Sequence, residues 1–298
     1  MVSVGFAVAA CMGWGIADFI GGLKSREIPT LRVLIIANGT GVVLLGCILA
    51  VSGRPMPVDA GLLWAVPAGL TGIAAMYLLY RSLAVGTMSV LAPISATGAL
   101  LPVVWGLFAG EVLSVAAITG LATAFLGAVL AAMEPGNSQG SNPKGSPQGD
   151  VNSGRWTCGI HLALGAAVCI GFYFILMDRA CVSDPLWASA AMRSTTFVFL
   201  LPLILLNGLA GPAGNGAKPK LSSYLPLIIF MGMMDTLAAF SFTLAASSGM
   251  LSIAAVVSSL YPAVTVVLSA LVLKERLRPV QLTGVVLAMA GVAMVTVF

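Results

Sequence analysis

Ten runs of mainly apolar residues, each about 20 residues long, constrain the fold of this chain more than any other feature. An α-helix needs about 20 apolar residues to cross a hydrocarbon core about 30 Å thick. The runs do not alternate in polarity, which favours helices over barrel strands. Only 8% of the residues are charged, against about 25% in soluble proteins. The sequence predicts an all-α integral membrane protein with ten transmembrane helices. They cover residues 2–23, 32–51, 62–83, 87–109, 112–133, 157–178, 186–207, 223–246, 250–273 and 279–298.

One segment near the middle of the chain differs in composition from the rest. Residues 135–155 consist largely of Gly, Ser, Asn, Pro and Gln. Such a segment cannot bury an apolar core, so we expect a flexible polar linker. It divides the chain into a first unit, residues 1–134, and a second unit, residues 156–298, with five predicted helices in each.

The two units resemble each other in sequence. The offset between matching residues is 156 near the start of each unit, 163 in its middle and 164 near its end. The matching pairs include Gly15 and Gly171, Pro29 and Pro185, Gly86 and Gly249, Ser95 and Ser258, Glu111 and Glu275, Gly120 and Gly284, and Gly127 and Gly291. Because five is an odd number, the second unit enters the membrane from the opposite side. The chain is therefore predicted to form two inverted five-helix repeats, which are typical of secondary transporters.

The distribution of positive charge predicts the orientation. Loops after odd-numbered helices, with their bounding residues, hold eleven Lys and Arg, whereas the other side holds only Arg54 and Arg179. The positive-inside rule makes the odd-numbered loops cytoplasmic and places both termini outside.

Two charged residues lie deep inside predicted helices, where a charge costs at least about 2.5–3.5 kcal/mol. Asp235 is about ten residues from either end of the eighth helix, and Arg193 is about seven residues into the seventh. Two interpretations stay open. The residues form a structural ion pair, or they face a central aqueous cavity. In the second case Arg193 binds a substrate carboxylate, or Asp235 exchanges a proton coupled to transport.

Seven further residues are candidates for substrate binding, namely Trp14, Asp18, Asn38, Tyr77, Tyr80, Arg81 and Tyr261. Asp18 is either a cavity group or an ion partner of Arg81. Tyr77, Tyr80 and Arg81 lie within one helical turn, where they line a pore or form an interfacial anchor. Trp14 either shapes a pocket or fills the core. Asn38 and Tyr261 either belong to the site or only hydrogen-bond a neighbouring helix.

The sequence lacks the patterns of several other classes. It has one His, no HExxH and no GxxxxGK[ST], so neither an enzyme nor an ATP-driven pump is predicted. The five cysteines lack CxxC spacing, and we expect no metal, cofactor or disulfide. The net charge of +4 comes without a basic block, which argues against nucleic acid as a partner.

Several short motifs resemble the EamA family of the drug/metabolite transporter superfamily. They are GWGIADF at residues 13–19, LAPIS at 91–95, and residues 260–277, in which Pro262 precedes Glu275-Arg276-Leu277 by thirteen residues. Asp184-Pro185 with Arg193 is also similar to the family's second-half pattern. The first unit departs from the pattern, because Glu111-Val112-Leu113 lacks the arginine and Gly98 stands in place of the proline.

This resemblance implies a transporter of small metabolites such as amino acids, usually by secondary transport. We expect alternating-access transport of a small polar metabolite across the plasma membrane, with H⁺ as the candidate coupling ion. The expected state is a monomer or a weak homodimer in membrane lipid. The alternatives are an uncoupled facilitator or channel, and a membrane protein without transport activity such as a lipid scramblase.

Overall fold

The computed structural model describes residues 2–25, 27–58, 60–85, 91, 94–111, 114–132, 149–207, 221–272 and 279–297. Within these ranges the secondary structure is helical, without strands. The α-helices are α1 (Val2–Lys24), α2 (Thr30–Ser52), α3 (Ala65–Val85), α4 (Leu100–Phe108), α5 (Val115–Ala132), α6 (Gly149–Cys181), α7 (Pro185–Asn207), α8 (Leu221–Ser247), α9 (Leu251–Ser258), α10 (Tyr261–Val272) and α11 (Pro279–Val297). Two 3₁₀ helices cover Ala60–Trp64 and Thr97–Ala99.

Six helical segments in the described ranges are long and apolar enough to cross a membrane. They are Val2–Lys24, Thr30–Ser52, Ala60–Val85, Cys158–Cys181, Pro185–Leu205 and Ser223–Ser247. The prediction of an all-α membrane protein is confirmed. The other predicted spans coincide with shorter apolar helices, which are Ile94–Phe108, Ile118–Gly127, Leu251–Thr265 and Leu282–Gly291. The count of ten therefore stays a prediction.

Some sequence predictions concern residues outside the described ranges. The sequence also predicts a helix break at Gly86, a helix bend at Pro93 and a polar loop at 211–220. These positions lie outside the described ranges, as do the segment 274–277 and most of the linker. Helix α6 begins at Gly149, so helical backbone extends into the segment predicted as linker. The boundaries of the two units stay a prediction.

The ninth predicted span is not one continuous helix, because it is divided into α9 and α10. Pro262 is the second residue of α10, where its missing N–H breaks no helical hydrogen bond. The join is tight: the Leu260 amide donates to the Val257 carbonyl at 3.3 Å. At an offset of 163 this break falls opposite the 3₁₀ helix Thr97–Ala99, which precedes α4. Both units thus interrupt the corresponding apolar run at the same place.

Small residues allow the closest helix contacts. Helix α1 packs along α8, α3 along α6, and α5 along α11. A Cβ atom on Gly291 would lie 2.6 Å from both the Ala124 Cα and the Gly120 carbonyl oxygen. The small-residue faces of α5 and α11 therefore pack against each other within one chain. Homodimerisation through these helices stays a prediction.

Glu111 connects the two halves through a turn that requires glycine. Gly110 has φ of 93°, a left-handed conformation that glycine adopts without strain. The Gly110 amide donates to the Leu107 carbonyl at 3.2 Å and the Glu111 amide to the Gly106 carbonyl at 2.9 Å, which form a Schellman motif. The Glu111 carboxylate then accepts hydrogen bonds from the amides of Leu251 at 2.8 Å and Ser252 at 3.3 Å. It caps the N-terminus of α9.

We expect Glu111→Ala to lower the free energy of unfolding by about 1–2 kcal/mol, because the first amides of α9 lose their charged acceptor. The measurement is an equilibrium unfolding titration in mixed micelles. Glu27→Ala is the matched control, since Glu27 is 48% exposed and pairs with Lys24 at the surface. Equal effects of the two substitutions would show that the cap contributes nothing.

Candidate functional site

A cavity of about 80 Å³ lies between helices of both halves. Its wall combines apolar side chains with eight polar or polar-tipped residues, which are Trp14, Asp18, Asn38, Tyr173, Arg193, Thr196, Asp235 and Tyr261. Six of the nine residues predicted as candidates line it: Trp14, Asp18, Asn38, Arg193, Asp235 and Tyr261. The fold therefore brings together most of the polar residues that the sequence places inside apolar helices.

The local sequence explains how Arg193 is positioned. Asp184 caps α7, since its Oδ1 accepts hydrogen bonds from the amides of Leu186 at 2.8 Å and Trp187 at 3.0 Å. Pro185 is the first helical residue, where the fixed φ of proline suits the helix start. Arg193 then lies two turns inside α7, too deep for its guanidinium to remain in water. Only 6% of the residue is exposed.

Arg193 and Asp235 form a buried ion pair. The distance between Arg193 Nη1 and Asp235 Oδ2 is 2.7 Å. The guanidinium also donates to the Asp235 backbone carbonyl at 3.1 Å and to Asn38 Oδ1 at 3.2 Å. The two interpretations of the sequence are thus compatible, because the residues pair with each other and also line the cavity. The Nε atom of Arg193 has no hydrogen-bond partner among the described residues.

Asp18 is a second buried carboxylate on the same cavity. It is 5% exposed and accepts a hydrogen bond of 3.3 Å from the Tyr80 hydroxyl. In the part of the chain that the structure describes, Asp18 forms no ion pair, with Arg81 or any other cation. Of the two interpretations of Asp18, the cavity group fits the structure and the partner of Arg81 does not.

Trp14 both lines the cavity and packs in the core. Its ring centroid lies 5.8 Å from the centroids of Phe174 and Phe242. The Phe174 and Phe242 rings are 4.5 Å apart. This aromatic cluster gives the cavity a rigid apolar wall next to its charged groups.

Asn38 and Tyr261 also combine structural and cavity positions. Asn38 Nδ2 donates to the Leu34 carbonyl one turn earlier at 2.9 Å, which leaves Oδ1 to accept from Arg193. The Tyr261 hydroxyl is 3.0 Å from Ser95 Oγ, so a hydrogen bond connects α10 to the first half. Both residues hydrogen-bond neighbouring helices, as the sequence suggested, and both line the cavity.

The three candidate residues on α3 do not share one environment, because they lie on different faces of that helix. Tyr80 is fully buried and contacts the site through Asp18. Tyr77 is 36% exposed, and Arg81 is also exposed. Neither is among the described residues that line the cavity. Their role in substrate binding stays a prediction.

Sequence reasoning missed two polar cavity residues. Thr196 lies one turn after Arg193, and its hydroxyl donates to the Met192 carbonyl at 3.0 Å. Its spacing from Arg193 could have indicated the shared face. Tyr173 lies deep in α6 between two phenylalanines, where nothing in the local sequence distinguishes it from a packing aromatic.

Equivalent positions of the two units meet at this cavity. At the offset of 156, Trp14 corresponds to position 170 and Asp18 to position 174. At the offset of 163, Gly72 corresponds to position 235. All six residues line the cavity. Each acid therefore corresponds to a non-acidic residue in the other unit. The backbone of the two units is repeated at this cavity, whereas the side-chain chemistry is not.

The described residues contain no group of three His, Cys, Asp or Glu side chains that could hold a metal ion. The chemistry available in the cavity is hydrogen bonding, ion pairing and aromatic contact.

Comparison with known proteins identifies the family. The fold and the buried cavity define a multi-pass helical protein of the membrane. The model of the EamA-like transporter family matches residues 1–133 and 157–297. The chain therefore belongs to the EamA-like transporter family, as the motifs predicted.

The fold also occurs among solved structures. A crystal structure of a protein matches with a TM-score of 0.71 and 15% identity, over 97% of this chain and 96% of the other. It is one of 27 similar chains of known structure. At this identity the likeness concerns the fold alone. A search of curated protein sequences finds no match.

Proposed function

We propose that this EamA-family transporter moves a small polar metabolite across the plasma membrane by alternating access through the central cavity. One observation carries the proposal: a buried ion pair and a second buried carboxylate line a cavity between the two halves. Charges at the depth of a hydrocarbon core persist where they are paired or functional. Among the described residues Arg193 pairs with Asp235 and Asp18 has no cationic partner, so packing alone does not account for the set.

The packing supports a two-fold relation between the halves. A Cβ on Gly15 would lie 3.0 Å from the Tyr261 carbonyl oxygen. At the equivalent positions of the other pair of helices, a Cβ on Gly171 would lie 2.7 Å from the Gly98 carbonyl oxygen. A second pair of contacts comes within one residue of the same relation, because Ala37 corresponds to position 193. A Cβ on Gly69 would lie 2.8 Å from the Met192 carbonyl oxygen, and a Cβ on Gly232 would lie 2.7 Å from the Ala37 carbonyl oxygen. These reciprocal contacts are what two repeats around one axis require.

The contacts between loops support ten spans and inverted repeats. In a ten-span chain the loops after even-numbered spans share one side of the membrane. Arg54, after the second span, pairs with Asp184, after the sixth, at 2.9 Å. Glu111, after the fourth, caps the helix that follows the eighth. With five spans in each unit the repeats are inverted, and a site on their axis can open to either side. The charge distribution favours both termini outside.

The proposed substrate-binding residues are those of the cavity wall. A substrate carboxylate could exchange with Asp235 on the Arg193 guanidinium, and the released Asp235 could accept a proton, which makes H⁺ the candidate coupling ion. The cavity is far below the roughly 300–1,000 Å³ of sites for drug-sized ligands, so a small solute fits best. The protein would act as a monomer or a weak homodimer.

The test is transport by the purified chain in sealed vesicles against a panel of amino acids, amines and organic acids. Alternating access predicts saturable uptake that accelerates when unlabelled substrate is present inside. Uptake that neither saturates nor accelerates indicates a channel. If no small solute crosses while lipid is flipped, the transporter proposal is wrong and the scramblase alternative holds.

A further inference from the structure

The charges facing the cavity do not sum to zero. Among the described residues that line it, the charged side chains are Arg193, Asp235 and Asp18. Arg193 and Asp235 neutralise each other at 2.7 Å. The ionised form of Asp18 therefore leaves the cavity with one uncompensated negative charge.

Arg193 is not free to neutralise Asp18. Its terminal nitrogens already donate to the carboxylate and backbone carbonyl of Asp235 and to Asn38. Its remaining donor, Nε, is close to Gly41, where a Cβ atom would lie 3.6 Å from it. A solute carboxylate alone would have to separate an existing ion pair before it could bind the guanidinium.

Asp18 has a different environment. It is 5% exposed, and its one hydrogen bond to a described side chain comes from the Tyr80 hydroxyl. A carboxylate accepts several hydrogen bonds, so acceptor capacity is left facing the cavity. A buried carboxylate without a cation is costly, and a cationic ligand removes that cost on binding.

We infer that Asp18 is the binding subsite for an ammonium group, so that small primary amines with an apolar body are bound and transported whether or not they carry a carboxylate. This inference rests on the proposed function and specifies its substrate class. The ammonium group binds Asp18, and a carboxylate on the solute is not required. The subsite consists of an acid that Tyr80 holds by a hydrogen bond, on the wall of a cavity that Trp14 also lines.

The wall around Asp18 suits the apolar part of such a solute. Trp14 is one helical turn before Asp18, at i and i+4, so the two side chains share a face of α1. The Trp14 ring is held by Phe174 and Phe242 at 5.8 Å. An aromatic face near a carboxylate favours an organic cation over a hydrated inorganic one, since it contacts the carbon atoms and attracts the ammonium group. Met76 and Ile170 extend this apolar surface.

The test compares three solutes that share the four isobutyl carbons: valine, isobutylamine, which lacks the carboxylate, and isovalerate, which lacks the amino group. Each is titrated against the purified full-length protein at neutral pH, and the dissociation constant is measured by thermal stabilisation. We expect isobutylamine and valine to bind and isovalerate to bind at least tenfold more weakly. Isovalerate binding as tightly as isobutylamine would overturn the inference, and this comparison needs only the natural chain.

The same titrations on Asp18→Asn and Asp18→Glu locate the subsite. Asp18→Asn should weaken isobutylamine at least tenfold, whereas Asp18→Glu, which keeps the charge, should retain binding. Glu27→Gln controls for loss of an acid elsewhere, and its dissociation constants should equal those of the natural chain. Unchanged binding of isobutylamine by Asp18→Asn would overturn the assignment of Asp18.

Vesicle transport separates failure of this inference from failure of the proposed function. If organic acids are transported and amines are not, the protein is a transporter and the ammonium subsite is wrong. If none of the three solutes nor any other panel member is transported, the proposed function itself is wrong.

Discussion

Asp235→Asn is expected to lower the free energy of unfolding by about 3–5 kcal/mol, because it leaves the buried Arg193 guanidinium without a counter-charge. Arg193 is 6% exposed and its carboxylate partner is 2.7 Å away. The measurement is equilibrium unfolding of the purified protein in mixed micelles, with the midpoint and the slope both recorded.

Single and double variants separate the contribution of the ion pair to stability from the general effect of losing an acid. Arg193→Met alone should also destabilise the protein, and Arg193→Met combined with Asp235→Asn should recover most of the loss, because no uncompensated charge is left. Asp18→Asn is the matched control on the same cavity. It removes a carboxylate that has no cationic partner among the described residues, so we expect the free energy of unfolding to stay the same or to rise. Similar losses for Asp18→Asn and Asp235→Asn would contradict this account of the two acids.

Gly291→Ala is expected to lower the free energy of unfolding by about 1–3 kcal/mol, as a result of overpacking between α5 and α11. The added Cβ would lie 2.6 Å from the Ala124 Cα and from the Gly120 carbonyl oxygen. These are backbone atoms, which cannot turn away as a flexible side chain can. The two helices must therefore separate or slide.

Gly46→Ala is the matched control for that substitution. A Cβ on Gly46 would meet no atom within 4 Å, and the residue lies inside α2. There alanine should be neutral or stabilise the protein by up to about 1 kcal/mol through its higher helix propensity. The same unfolding titration measures both variants. A Gly291→Ala variant as stable as Gly46→Ala would show that α5 and α11 are not in this close contact.

The membrane class and most of the site could be predicted from the sequence, because charged residues are costly in the hydrocarbon core of a membrane and are therefore rare there. Long apolar runs identify helices, and each charge within them is conspicuous. Asp235, Arg193 and Asp18 were found in this way. Periodicity could not tell whether Arg193 pairs with Asp235 or faces a cavity, since the two residues belong to different helices. Only the packing of α7 against α8 shows that both descriptions apply.

The rotation of each helix about its axis was harder to predict. Tyr77, Tyr80 and Arg81 are close along α3, yet Tyr80 is buried beside Asp18 while Tyr77 and Arg81 are exposed. An apolar run that faces lipid on one side and protein on the other has no hydrophobic face that would indicate the inward direction. Tyr173 was missed for the same reason.

The division of the ninth predicted span depended on a local signal that hydropathy does not report. Residues 250–273 form a continuous apolar run, but α9 ends at Ser258 and α10 begins at Tyr261. Pro262 marks the break, because proline fits the first turn of a helix and disrupts its interior. Other prolines, such as Pro202 and Pro226, lie inside continuous helices, so a proline alone could not identify it.

Exchange transport by the double variant Arg193→Met with Asp235→Asn tests the central claim most directly. This variant is expected to fold with nearly natural stability, so its transport reports on the site rather than on the fold. Vesicles loaded with unlabelled substrate receive external labelled substrate, and the initial rate of uptake is compared with that of the natural chain. The account predicts saturable exchange by the natural chain and loss of at least nine-tenths of that rate in the folded double variant. Exchange at the natural rate would show that the Arg193–Asp235 pair takes no part in transport.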